Sequence, residues 1–196
     1  DSMAEDISNY LKFKNISKVD MLGHSMGGNL VIYISNKTPN ILNKIVIVDI
    51  VPKKYKNVHK DILSGLKSID FNLIGSRREA DDKLSSYISD ERVRHFLLKN
   101  LYWKSDHKLG FRCNLDVLYD YSKNSITNKF ENPISFKGPA LFLHGKSSNY
   151  VNEKDYELIN YHYSNASIIK VPNSGHWLHA DNPDFFLEKT INFLNS

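Results

Sequence analysis

The chain has 196 residues, 41% of them hydrophobic and 12% aromatic, with a formal net charge of +4. That length suits one domain with a sizeable core, and no apolar run approaches the ~18 residues of a membrane-spanning helix. The positive charge is scattered apart from Lys53, Lys54 and Lys56, and no nucleic-acid-binding motif is present, so a nucleic-acid partner is not expected. The single cysteine, Cys113, excludes an internal disulfide and a thiolate metal cluster. It falls in a stretch read as helical, where a buried apolar role is expected.

In chain order, Met3, Ile7, Tyr10 and Leu11 have helical spacing and predict a helix over Met3–Lys14. Ser17–Leu22 reads as a short strand. Gly28–Asn36 reads as a helix stopped by Thr38-Pro39. Lys44–Val51 is an unbroken β-branched run, suited to a strand buried on both faces of a parallel sheet. From Pro52 to about Asn132 the sequence turns charged and helical in rhythm, without obvious strands. Helices are predicted there over Asn57–Ser68, Arg77–Ile88, Asp90–Tyr102 and Cys113–Ser125. Pro139–Gly145 returns to strand, Glu153–Tyr163 to helix, Ser167–Val171 to strand and Pro183–Leu194 to a closing helix. Strands alternating with helices predict an α/β fold with a parallel sheet. The expected organisation is a core over 1–51 and 133–196, with a helical insertion over 52–132.

The most informative stretch is Gly23-His24-Ser25-Met26-Gly27-Gly28, between a predicted strand and a predicted helix. A Gly-x-Ser-x-Gly in that setting is a nucleophile elbow. The serine sits on a tight turn that projects its hydroxyl out of the sheet. Glycines on either side let neighbouring backbone approach where a side chain would clash. The helix N-terminus brings N–H groups to developing negative charge, and Met26 N–H is the expected oxyanion donor.

A serine hydroxyl needs an imidazole within hydrogen-bond reach to take its proton. Asn173-Ser174-Gly175-His176-Trp177-Leu178-His179 follows the last predicted strand, and His176 is the expected base. Serine first and histidine last is the hydrolase chain order. His179 is the competitor. His24 is expected to shape the pocket floor, and His144 to line either the core or the pocket. The third member is open. The loop after the strand at Leu141–His144 reads Gly145-Lys146-Ser147-Ser148-Asn149-Tyr150-Val151, without a carboxylate. Asp49, at the end of a buried strand, ranks first because it faces the same end of the sheet as the elbow. Asp116 ranks second and Asp155 third.

These residues resemble α/β-hydrolase-fold serine esterases, in particular the alpha/beta-hydrolase domain-containing protein eleven family and the small bacterial YbfF-type esterases. Val48-Asp49-Ile50-Val51-Pro52 resembles that group's segment after the strand. Phe96–Leu101 and Asn114-Leu115-Asp116 resemble its cap, and Gly145–Val151 its carboxylate-poor loop. Gly175–Pro183 resembles its histidine segment. The resemblance implies an α/β-hydrolase fold with a helical cap insertion, Ser25 as nucleophile and His176 as base. For the acid it points both to Asp49 and to Asp116. Relatives carry several strands, a helix and a His-Gly loop before the helix with which this sequence starts. An N-terminally truncated chain is therefore expected, with one oxyanion donor missing, the strand edge at Val19–Leu22 open, and self-association or retention of an N-terminal fragment through that edge.

The function expected is cleavage of carboxylic esters or thioesters of small or acyl-chain substrates through an acyl-serine. No metal or organic cofactor is required. Phe71, Leu73, Phe96, Leu97, Leu101, Tyr102 and Trp103 are expected to supply the acyl pocket. Two alternatives stay open: a lipase-like acyl hydrolase, and an impaired, non-catalytic chain that keeps the fold for binding. The compartment is open, with a reducing intracellular one, cytoplasm or mitochondrion, expected.

Overall fold

The computed structural model describes residues 2–55, 60–106, 108–123, 130 and 132–196. The elements run α1 (Ser2–Phe13), β1 (Val19–His24), α2 (Met26–Lys37), β2 (Leu42–Val48), α3 (Lys60–Lys67), α4 (Arg77–Ser85) and α5 (Glu91–Leu98). They continue β3 (Leu101–Ser105), β4 (Lys108–Phe111), α6 (Leu115–Lys123), β5 (Ala140–Gly145), α7 (Tyr156–His162), β6 (Ala166–Val171), α8 (Leu178–Asp181) and α9 (Pro183–Asn195). The chain divides into two compact units, one formed by 1–53 with 128–196 and the other by 54–127.

The first unit is built on a parallel four-stranded sheet in the order β1-β2-β5-β6. β2 and β5 are central. Ile45, Val46, Ile47 and Val48 are fully buried, as a β-branched run covered on both faces requires. Val46, Val48, Leu141, Leu143 and Val171 form one face, against which Phe185, Phe186, Phe193 and Leu194 of α9 pack. By alternation Ile45 and Ile47 point to the opposite face, where Gly28 of α2 lies so close that a Cβ there would meet Ile47 and Ile50. Buried Val31, Ile32 and Ile34 are the apolar side of that helix. Thr38 N donates to Ile34 O (2.8 Å) before Pro39 ends α2. Ser35 Oγ and Tyr163 OH share a buried hydrogen bond of 2.8 Å, and burial pushes the Tyr163 phenol well above its ordinary range.

Strand β2 stops at Val48, three residues before the predicted end. Asp49 takes a left-handed conformation (φ 52°), which turns the chain out of the sheet. Glu153–Tyr163 divides into a 3₁₀ turn (Glu153–Asp155) and α7.

The second unit has its own core of Leu66, Ile69, Ala80, Leu84, Ile88, Leu98 and Leu101. Ser76 and Asp90 cap α4 and α5: Glu79 N donates to Ser76 Oγ (3.2 Å) and Arg92 N to Asp90 Oδ1 (2.8 Å). The expectation of a strand-free insertion is overturned by the antiparallel hairpin β3–β4. Helix α5 ends at Leu98, because Tyr102, Trp103 and Phe111 favour extended backbone and pair across a short loop. Cys113 is half-buried and precedes α6 rather than lying within it. Residues 57–59 of the first predicted helix in this unit, and 124 and 125 of the last, lie outside the described residues. Of the expected acyl-pocket residues, Leu101 belongs to this unit's own core and Phe71 and Leu97 pack against it, whereas Leu73, Phe96 and Trp103 are exposed. Among the described residues no helix is long and apolar enough to cross a membrane.

Candidate active site

The parallel register brings the C-terminal ends of the strands to one level. His24 pairs with Val48, Val48 with Leu143, and Gly145 with Val171. Ser25 N donates to Val48 O (2.9 Å) and Asp49 N to Leu143 O (2.8 Å), so each turn is fastened to the neighbouring strand. Ser25 holds φ 54°, ψ −114°, a conformation that L residues adopt only when their surroundings impose it. The same turn is closely packed at Gly23, where a Cβ would fall 2.3 Å from Gly27 O. Gly28 is equally confined, with Ile50 Cγ2 2.4 Å from where a Cβ would stand. A Cβ at Gly27 would meet nothing within 4 Å, so close packing at the elbow requires Gly23 and Gly28 rather than the flanking pair of the motif.

His176 is delivered by the turn after β6. Asn173 has φ 53°. Ser147 N donates to Ser174 O (2.9 Å), and Gly175 N donates to Asp181 Oδ2 (2.9 Å). The β5 loop presses so closely on this turn that a Cβ on Gly145 would lie 2.1 Å from Gly175 O.

The three side chains meet. Ser25 Oγ lies 3.0 Å from His176 Nε2, and His176 Nδ1 lies 2.7 Å from Asp49 Oδ2. With Nδ1–H donating to the carboxylate, Nε2 is left as the acceptor for the serine hydroxyl. Asp49 is fully buried. Its charge is met by three donors: His176 Nδ1–H and Ser148 Oγ–H at Oδ2, and Gly145 N–H at Oδ1 (3.1 Å). The arrangement can take a proton from a serine hydroxyl and hold the resulting imidazolium against a buried carboxylate.

No family model matches the chain. It is 34% identical over 194 residues to the "putative esterase/lipase" of Haemophilus influenzae, covering 98% of this chain and 66% of that protein. It is 33% identical over 201 residues to the "sn-1-specific diacylglycerol lipase ABHD11" of Danio rerio, covering 99% of this chain and 62% of that protein. The chain thus spans somewhat less than two thirds of the length of these two relatives. Among solved structures, a "marine microorganism esterase" superimposes with a TM-score of 0.89 at 36% identity, over 98% of this chain and 76% of that one. The chain belongs to the α/β-hydrolase-fold esterases.

Within this family frame the candidate acids separate. Asp49 meets His176. Asp116 is exposed and ion-paired with Lys67 at 2.6 Å inside the second unit. Asp155 accepts from Lys53 Nζ (2.7 Å) and from Asn152 N (2.9 Å). Met26 opens α2 directly after Ser25.

The flanking histidines also take definite places. His24 Nε2–H donates to His176 O (2.8 Å), and its ring lies 4.7 Å from that of His176 and 4.9 Å from that of His179. Burial lowers the His24 pKa from the ordinary histidine value, which favours the neutral ring. His144 is buried at the end of β5 with Nε2 2.7 Å from Tyr156 OH, and burial lowers its pKa too. Two residues of the site carry no sequence signal of their own: Ser148, bonded to the Asp49 carboxylate, and Tyr150, stacked on the His176 ring. The only pointer to them is the missing carboxylate in their loop, where the Ser148 hydroxyl instead bonds an acid supplied from the end of β2.

Proposed function

We propose that the protein is a serine hydrolase that cleaves carboxylic esters or thioesters through an acyl-serine intermediate. The observation that carries this reading is the continuous hydrogen-bonded relay Ser25–His176–Asp49 at the C-terminal edge of the sheet. Ser25 Oγ attacks the acyl carbon as its proton passes to His176 Nε2. Asp49 holds the imidazole in the Nδ1–H tautomer and stabilises the imidazolium. Met26 N–H, at the start of α2, donates to the developing oxyanion. His176 Nε2–H protonates the departing alcohol or thiol. Water then repeats the sequence on the acyl-serine and frees the acid. In this reading the helical insertion expected over residues 52–132 plays the part of the cap.

The relatives' names favour ester substrates. A lipid ester is the second reading, supported by the "sn-1-specific diacylglycerol lipase" name of a relative 33% identical to this chain. The open side of β1, which pairs only with β2 among the described residues, supports association with a further strand or a second copy. Sedimentation that finds only monomer would remove that part of the proposal.

The test of the main reading is labelling by a fluorophosphonate probe together with turnover of a panel of p-nitrophenyl esters, acyl thioesters and diacylglycerol. Labelling and turnover should both vanish in Ser25→Ala with the fold intact. A Ser25→Ala protein that still turns over esters would refute the assignment.

A further inference from the structure

The face of the His176 ring is not left to solvent. Tyr150, in the loop after β5, lies parallel to it, with ring centroids 3.9 Å apart and planes 17° apart. That is close stacking, not incidental contact. The loop holds the tyrosine in register with the rest of the relay. Tyr150 N donates to Ser148 Oγ (3.1 Å), the hydroxyl that in turn donates to Asp49. The next residue, Val151, is buried and anchors the segment. His24 lies against the same imidazole with its ring tilted by 42°.

We propose that Tyr150 is a positioning residue of the relay, fixing the plane of the His176 ring and stabilising its protonated form through the π face. This rests on the esterase reading above. His176 must keep Nδ1 on Asp49 and Nε2 on Ser25 at once, and rotation of its ring would sweep into the tyrosine ring. When the serine proton arrives the imidazole becomes a cation lying on an aromatic face, which attracts positive charge most strongly where water is excluded. His24, 4.7 Å away, has its neutral form favoured by burial, which works against a second positive charge beside the ring. The contact is thus stronger in the charged intermediate than in the resting site, as a contribution to turnover requires.

The experiment compares wild type, Tyr150→Leu and Tyr150→Phe. It reads kcat and KM for a short p-nitrophenyl ester across pH, and the NMR shift of the His176 ring protons. In Tyr150→Leu kcat should fall by about tenfold while KM changes by less than about twofold. The acid limb of the rate profile should also move to lower pH, because leucine covers the ring without stabilising its cation. Tyr150→Phe keeps the face and should restore most of kcat. The upfield ring-current shift of the His176 protons should be present in wild type and Tyr150→Phe and absent in Tyr150→Leu. If Tyr150→Leu does not fold, Tyr150→Met supplies the same comparison. Unchanged kcat and pH profile in Tyr150→Leu, equal losses in the Leu and Phe variants, or no ring-current shift in wild type would each overturn the proposal. A wild-type protein that neither turns over esters nor accepts fluorophosphonate would overturn the esterase reading instead, and the ring-current comparison would still decide the stacking.

Discussion

Asp49→Asn isolates the charge of the relay from its geometry. Asparagine tolerates the left-handed backbone that Asp49 adopts (φ 52°), and it has almost the same shape, so the turn after β2 should be kept. The hydrogen-bond pattern cannot be kept. The native carboxylate accepts from His176 Nδ1, Ser148 Oγ and Gly145 N. An amide offers one accepting oxygen and one donating nitrogen in place of two accepting oxygens. With the nitrogen toward His176, the imidazole is driven to the tautomer whose Nε2 carries hydrogen and cannot take the Ser25 proton. With the nitrogen toward Gly145, one N–H opposes another, and the imidazolium still faces a neutral group in a fully buried position. In relays of this kind the loss is on the order of 10⁴-fold in kcat, about 5 kcal/mol of transition-state stabilisation. The assay is ester turnover with fluorophosphonate labelling, run beside Asp116→Asn, whose carboxylate is exposed and paired with Lys67. Asp49→Asn within about tenfold of wild type, or Asp116→Asn as impaired as Asp49→Asn, would refute the assignment of the acid.

At the elbow, Ser25→Gly and Ser25→Ala should both lack turnover, but the glycine variant should be the more stable by about 1 kcal/mol, because only glycine relaxes at φ 54°, ψ −114°. Equal thermal melts would show that the turn is not strained. Gly145→Ala would put a Cβ 2.1 Å from Gly175 O, displacing the His176 turn, and should cost about 10²-fold in kcat without loss of the sheet, as seen by circular dichroism. Wild-type turnover in that variant would contradict the packing described. The pKa values of His24, His144 and His162 are all lowered, in each case first by burial. The unfolded chain therefore takes up more protons than the folded one as pH falls through and below 6.5, the ordinary histidine value, and stability present above it is lost below it. The urea midpoint should drop between about pH 7.5 and about pH 5.5, and an unchanged or rising midpoint would refute the prediction.

Much of the architecture was legible because the relevant physics is local. The β-branched run that became β2, the elbow glycines and Pro39 act on immediate neighbours, and a periodicity argument reads them directly. The hairpin β3–β4 was missed for the same reason in reverse. Leu97, Leu98, Leu101 and Tyr102 keep a helical rhythm in sequence. Pairing of Trp103 with Leu109 is what makes the segment extended, and that partner lies on another strand. At the elbow the motif marked Gly27 as sterically required, but the space around it is open, and Gly28 meets Ile50 instead.

The sequence by itself determined the strand–turn–helix that presents Ser25, the order of serine before histidine, and a short set of possible acids. It left Asp49, Asp116 and Asp155 distinguishable only by rank, because a carboxylate's role depends on what stands within 3 Å of it, and sequence spacing does not report that. Tertiary structure separated them. The parallel register of β1, β2 and β5 sets Ser25 and Asp49 on adjacent strand ends. The turn after β6 then carries His176 across 127 residues of chain to Asp49 and 151 to Ser25. Ser148 and Tyr150 belong to the same class of fact. A serine and a tyrosine in a polar loop are unremarkable until the sheet brings a buried carboxylate and an imidazole face against them.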